Sequence, residues 1–213
     1  MFEKPIVMLD FETTGLSPAM GDRITEVAAL RIVNGRVTER FVSLVNCQVR
    51  IPAFITQLTG ISQAMVDRAP CVSRVVPDLL DFIGEDSLSA HNASFDEKFL
   101  KAEAELLALS PRHISLVCSL KLSRRVFPGL PSYKLGLLSS QLGIGFRSAA
   151  HRAESDAEVA AEVLIHIARH LGRTYGLGPV APQLLVSVNK LSAAKVPDFL
   201  QQYAVEKSKT QLT

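Results

Sequence analysis

Asp10 and Glu12 are separated by one residue at the end of an apolar run, Pro5-Ile6-Val7-Met8-Leu9-Asp10-Phe11. In a strand, side chains alternate, so both carboxylates point to one face and Phe11 to the other. Two adjoining acids repel, and each is costly near a core unless positive charge offsets it. A hard divalent cation does so, and all-oxygen donors suit Mg²⁺ or Mn²⁺ better than zinc. Taken alone, Asp-Phe-Glu fits a solvated strand end equally well. Asp96 and Asp156 add weight to the metal reading. Ser94-Phe95-Asp96-Glu97 has capping-box spacing, which predicts Ser94 as N-cap and Asp96 as the second helical residue, and Ser155-Asp156-Ala157-Glu158 repeats it. Acids there ordinarily complement the helix dipole, for ~0.3–1 kcal/mol. Their phase argues otherwise. Asp156 shares a face with Val159, Ala160, Val163, Leu164 and Ile167, and Asp96 lies one turn from Phe99 and Leu100. Inward-facing acids have a purpose if they converge on a metal. His151, just ahead of Asp156, is then a candidate general base with an intrinsic pKa near ~6.5.

The elements that must position these groups can be read in outline. The run ending at Asp10 is a central strand buried on both faces. Strands over 24–33 and 36–45 flank Asn34-Gly35, whose tolerance of positive φ predicts a hairpin. Helices are expected around 52–58 and 71–83, a short strand at 87–91, and a helix from Phe95 to about Leu109. A fifth strand over 113–117, helices near 118–126 and 134–142, and a long helix from Asp156 to about Leu171 complete the core. Three consecutive strands, then strands alternating with helices, predict an α/β fold with a five-stranded mixed sheet flanked by helices. The Gly- and Pro-rich stretch 172–182 is the expected end of that unit. This divides the chain into a catalytic domain, 1–172, and a C-terminal extension, 173–213, of unassigned role.

Composition excludes more than it identifies. The 213 residues are 47% hydrophobic with a formal net charge of +2, which fits a globular domain and leaves nucleic-acid binding unsignalled. No apolar run approaches the ~18 residues of a membrane span. The three cysteines share no metal or redox spacing, and a cytoplasmic location is expected.

In this order the motifs resemble the DnaQ-like 3′–5′ exonucleases of the DEDDh family. They stand here as Leu9-Asp10-Phe11-Glu12-Thr13-Thr14-Gly15, His91-Asn92-Ala93-Ser94-Phe95-Asp96 and His151-Arg152-Ala153-Glu154-Ser155-Asp156. The resemblance extends to Ile24-Thr25-Glu26-Val27 and to the segment 122–129, and around the second motif and Arg124-Arg125-Val126-Phe127-Pro128-Gly129 it looks especially like exonuclease X and free-standing relatives of the proofreading epsilon subunit. The His-x4-Asp spacing matches the histidine branch. The resemblance implies a ribonuclease H-like fold and hydrolysis of terminal phosphodiesters, mainly of single-stranded DNA, to nucleoside 5′-monophosphates. It implies two divalent cations, Mg²⁺ or Mn²⁺, bridged by Asp10, with Glu12 and Asp156 completing one site and Asp96 serving the other through water. It gives His151 the proton of the attacking water. Thr13, Thr14, Gly15 and Leu16 would hold the 3′-terminal nucleotide of the nucleic-acid partner, with Asn92, Phe95 and Phe99 lining the same pocket. Helical spacing alone also explains Phe95 and Phe99 as core. Lys121, Arg124, Arg125, Lys134, Arg147 and Arg152 are candidates for a local basic patch. One departure is Thr59 in Leu58-Thr59-Gly60-Ile61, where relatives often have histidine. An exoribonuclease is one alternative, since the motifs do not encode contact to a 2′-hydroxyl. A polymerase-associated proofreading subunit is another, although Gln201-Gln202-Tyr203-Ala204 and Gln211-Leu212-Thr213 are poor candidates for a clamp-binding segment.

Overall fold

The computed structural model describes residues 1–145 and 151–210. Arg147 and the Gln211-Leu212-Thr213 segment fall outside them. The strands are β1 (Ile6–Thr13), β2 (Ile24–Val33), β3 (Arg36–Leu44), β4 (Ser87–Ala90) and β5 (Leu116–Cys118). They form one mixed sheet in the order β3-β2-β1-β4-β5. Asn34 and Gly35 turn β2 into β3 at φ 51° and 71°, the left-handed conformations that the Asn-Gly signal requires. β1 pairs antiparallel with β2 and parallel with β4. It is therefore central, and its alternation sorts the core. Ile6 and Met8 join Leu30 and Ile32 on one face, while Val7, Leu9 and Phe11 join Val27 and Ala29 on the other. The fifth strand begins three residues later than the sequence predicts. Its register is set by the four-residue β4, which offers it only the partners Leu88, Ser89 and Ala90.

Helix α1 (Ala53–Thr59), a short α2 (Gln63–Asp67) that the sequence pattern did not signal, and α3 (Val72–Ile83) lead to β4. Helix α4 (Ala93–Leu106) follows it, then α5 (Ser119–Val126), α6 (Leu135–Gln141) and the 23-residue α7 (Ala153–Tyr175). α3 and α4 cover the Phe11 face through Val75, Val76, Leu79, Phe99 and Leu100. α7 covers the Met8 face through Ala157, Ala160, Leu164 and Ile167. At roughly 1.5–3 kcal/mol for each large apolar side chain so buried, these two layers supply most of the stabilisation of the sheet.

Both predicted capping boxes are corrected by the structure. α4 starts at Ala93 behind Asn92, which is left-handed at φ 77°, and α7 starts at Ala153 behind Arg152. Ser94 and Ser155 lie inside their helices, and Asp96 and Asp156 are each the fourth residue. Tertiary groups replace the local caps at α7, as described below.

Beyond Gly176, helices α8 (Pro182–Lys190) and α9 (Val196–Thr210) complete the described residues. Leu177, Val180, Leu184, Leu185, Val188, Val196 and Leu200 belong to the same buried cluster as Met8 and Leu164. Asn189 lies against the outer edge of β5. Its Oδ1 accepts from the Cys118 N–H at 2.7 Å and its Nδ2 donates to the Cys118 carbonyl at 3.1 Å, satisfying groups that an edge strand otherwise leaves open. No helix among the described residues is long and apolar enough to cross a membrane.

Candidate active site

A cleft of about 260 Å³ opens beside the carboxyl end of β1. Asp10 and Glu12 lie on the face that Ile6 and Met8 define, as the alternation demands, with Phe11 turned into the opposite core. The β1–β2 register shifts between Glu12 and Thr13, so regular pairing stops where the chain enters the next loop. That loop is held from within. Asp22 Oδ2 accepts the Ser17 N–H at 2.9 Å, and Thr14 Oγ1 accepts the Arg23 N–H at 3.0 Å. A Cβ at Gly15 would stand 2.4 Å from the Asp22 carboxylate, so a larger residue there would displace the group that holds the loop. Lys98, on α4, donates to the Leu16 carbonyl and secures the tip, leaving the Leu16 side chain 78% exposed at the mouth of the cleft.

Two helix starts bring the remaining acids. Oxygens of Asp10, Glu12 and Asp156 all lie within 4.8 Å of one another. Asp96 stands outside that trio, 4% exposed, and after burial its charge is the largest influence on Asp10. Every one of the four has its carboxyl pushed upward, in each case chiefly by burial. Asp10 is held well above the usual carboxylate range by burial and then by Asp96, Asp156, Glu12 and Glu26. Burial, with Asp156 and Glu26, raises Glu12 to about 7. Burial raises Asp96 to about 8 against the opposing backbone N–H groups of Asp96 and Phe11. Asp156 is raised by burial and moderated by the His151 backbone and side chain. A protein that gathers acids at such cost has a site matched to a cation. The all-oxygen donor set and its unrelieved negative charge fit a hard divalent ion. His151, exposed and left-handed at φ 63°, borders the same cleft and donates its backbone N–H to Asp156 Oδ2 at 3.1 Å.

Of the residues singled out from sequence, Asp10, Glu12, Thr13, Gly15, Leu16, Phe95, Asp96, His151 and Asp156 border this cleft. Thr14 is buried behind the loop, Asn92 forms the left-handed turn into α4, and Phe99 is fully buried against Phe95 with ring centroids 5.0 Å apart. Among the basic candidates, Arg125 donates to the Leu191 and Lys121 carbonyls, Arg124 lies over the Tyr133 ring and Arg152 is paired with Glu26. Thr59 also borders the cleft, with its hydroxyl donating to the Ile55 carbonyl and accepting from the Ile61 N–H.

His91 and Glu26 stand within the quoted motifs, but the sequence assigns neither a role. His91 borders the cleft and is pinned between Ser119 Oγ at 3.0 Å and the Tyr133 carbonyl at 2.9 Å. A carbonyl only accepts, so Nε2 carries the proton, and burial pushes the ring toward its neutral form. Glu26, 3% exposed, faces Glu12 directly across the β1–β2 ladder. The available signal was an acid within an otherwise apolar strand.

A mixed sheet of this order, with acids gathered at the end of its central strand, is the arrangement of ribonuclease H-like nucleases. A family model for exonucleases of the RNase T type matches residues 7–164. The chain belongs to this family, within the DEDDh 3′–5′ exonucleases. It is 39% identical over 171 residues to the 3′–5′ exonuclease DinG of Bacillus subtilis, covering 80% of this chain but only 18% of that protein. It is 35% identical over 179 residues to the DNA polymerase III subunit epsilon of Aquifex aeolicus, covering 84% of this chain and 87% of that subunit. Among solved structures, exonuclease X in complex with 5′ overhanging duplex DNA superposes with a TM-score of 0.67 at 25% identity, over 86% of this chain and 99% of that one.

Proposed function

We propose that the protein removes nucleotides from the 3′ end of DNA, mainly single-stranded, and releases nucleoside 5′-monophosphates. The observation that carries this reading is the convergence of Asp10, Glu12, Asp96 and Asp156, all with raised carboxyl groups, on a cleft that also holds His151. The acids would hold two divalent cations, Mg²⁺ or Mn²⁺, which when bound stabilise charge on the attacking and leaving oxygens. His151 accepts the proton of the attacking water, and its exposure gives that proton a route to solvent. Thr13, Gly15 and Leu16 meet the terminal nucleotide from one side and Phe95 from the other. Ile55 and Leu58 of α1 extend the apolar wall. A cleft of about 260 Å³ has room for a terminal nucleotide, in keeping with attack at a strand end. The DNA bound in the exonuclease X structure supports a DNA substrate. Residues 1–172 are the proposed catalytic unit, with 173–213 as its brace.

The test is to incubate the protein with 5′-labelled DNA and RNA oligonucleotides in Mg²⁺, Mn²⁺ or chelator. A metal-dependent ladder shortening from the 3′ end of DNA, with 5′-mononucleotides in the supernatant, is expected. A ladder on RNA alone would replace the DNA reading with an exoribonuclease, and unchanged strands in every lane would refute both. The similarity to the epsilon subunit over most of its length favours a second reading, a proofreading enzyme that works beside a polymerase. That reading predicts faster removal of a mismatched than of a matched 3′ terminus from a primer–template duplex.

A further inference from the structure

His151 belongs to no regular element, and the helix behind it has no local cap. Arg152 occupies the N-cap position of α7 without a capping side-chain bond among the described residues, and the Ser155 hydroxyl is buried without a partner there. Three consecutive residues are held at that start, the first by a local bond and the next two by bonds that cross the fold. The His151 N–H donates to Asp156 Oδ2. Arg152 Nε donates to Glu26 Oε2 at 3.1 Å and Nη2 to Glu26 Oε1 at 2.5 Å, a forked pair. The Ala153 N–H donates to Glu26 Oε2 at 3.0 Å. A carboxylate on β2 thus does for α7 what a local Asp or Ser does for most helices.

Glu26 works against the electrostatics of its neighbours. It sits opposite Glu12 and pushes Asp10, Glu12 and Asp156 further upward. Its two oxygens are spent on Arg152 and Ala153, so it is not a spare cation ligand. The Arg152 fork is spent on Glu26 and is not aimed at a phosphate. What the pair does supply is a fixed turn over 151–153, charge-assisted and anchored in the most buried layer of the sheet. We propose that Glu26, through Arg152 and the Ala153 amide, is a positioning residue that aims His151 at the reacting phosphodiester. The inference rests on the proposed function, because it takes His151 as the general base.

The experiment is steady-state kinetics on a labelled single-stranded DNA oligonucleotide with wild-type protein, Glu26→Ala, Glu26→Gln, Arg152→Ala, His151→Ala and the Glu26→Ala/His151→Ala double variant. Loss of a group that orients a reacting residue typically costs about 10–100-fold. Glu26→Ala and Arg152→Ala should lose that much in kcat with KM within about twofold, and Glu26→Gln should lose less because an amide oxygen can still accept from Ala153. In the His151→Ala background the further loss from Glu26→Ala should shrink to under about threefold, since both act through one group. Glu26→Ala leaves Arg152 partly exposed rather than a buried charge unpaired, so it and Glu26→Gln keep the test sound if Arg152→Ala unfolds. Full multiplicative losses in the double variant would overturn the proposal. So would a raised KM at unchanged kcat, which would make Arg152 a phosphate contact. An inactive wild-type protein is a different failure, since it would sink the proposed function itself.

Discussion

Asp96 and Asp156 each stand fourth in a helix and reach the same cleft, yet the two helix starts are built differently. The α4 start follows β4 directly through the left-handed Asn92, and its flank is locked by His91 between Ser119 and Tyr133. Asp96 is almost wholly buried there. The α7 start carries the exposed His151 and is moored to β2 by Glu26. The contrast separates two tasks. A cation-holding acid gains from a rigid, water-poor setting, where its charge acts at full strength. A group that must take up a proton and release it needs contact with solvent and an aim that can be set from outside its own helix.

The largest effects should come from the acids. Asp96→Asn and Asp156→Asn should each lower kcat by about 10³-fold or more, as removal of preorganised charge from a reacting site does, measured by single-turnover cleavage in Mg²⁺. If either variant keeps most of its activity, the two helix starts do not serve one site. His151→Ala should cost about 10²-fold, the lower part of the range for a general base, and should flatten the acid limb of the kcat–pH profile. An unchanged pH profile would remove His151 from proton transfer.

Stability comes next, and its sign distinguishes a cation site from an ordinary surface cluster. The carboxyls of Glu12 and Asp96 are raised in the folded protein to about 7 and about 8, above their unfolded values. The folded state therefore binds more protons between those values. Without metal, the contribution of these acids to stability falls as pH rises from about 4 to 8. Denaturant melts in chelator should show Asp96→Asn gaining on wild type as pH is raised from 5 to 8.5. A variant that loses stability relative to wild type as pH rises would contradict the assignment. The smallest effects are at the serines. Ser94→Ala should change stability by less than about 0.5 kcal/mol, whereas loss of a true N-cap costs about 1. Ser155→Ala, which deletes a buried hydroxyl left without a partner among the described residues, should be neutral or slightly stabilising.

What sequence could and could not show follows from the range of the forces involved. β2 and the hairpin were legible because apolar patterning and Asn34-Gly35 are local signals. The four acids and His151 at the cleft were legible because Asp96 and Asp156 occupy apolar stripes where dipole chemistry has no use for them. The helix starts were misread because α7 takes its cap from Glu26, which bonds Arg152 across 126 residues of chain. No local spacing encodes that pairing. Phe99 could be core or pocket by its spacing alone, and burial decided for the core. Likewise, the packing of residues 177–200 onto the Met8 face depends on a return path of the chain that composition does not record.

If the acid cluster is built for divalent cations, thermal unfolding at pH 8 of wild type and Asp10→Asn, each in chelator and in Mg²⁺ or Mn²⁺, should show a crossing. Asp10→Asn should melt higher than wild type in chelator, because one of several mutually repelling buried acids is gone. Wild type should gain far more from metal, by mass action on a site the variant has damaged. A wild-type protein that melts higher than Asp10→Asn in chelator, and that gains nothing from either metal, would contradict a site built for cations.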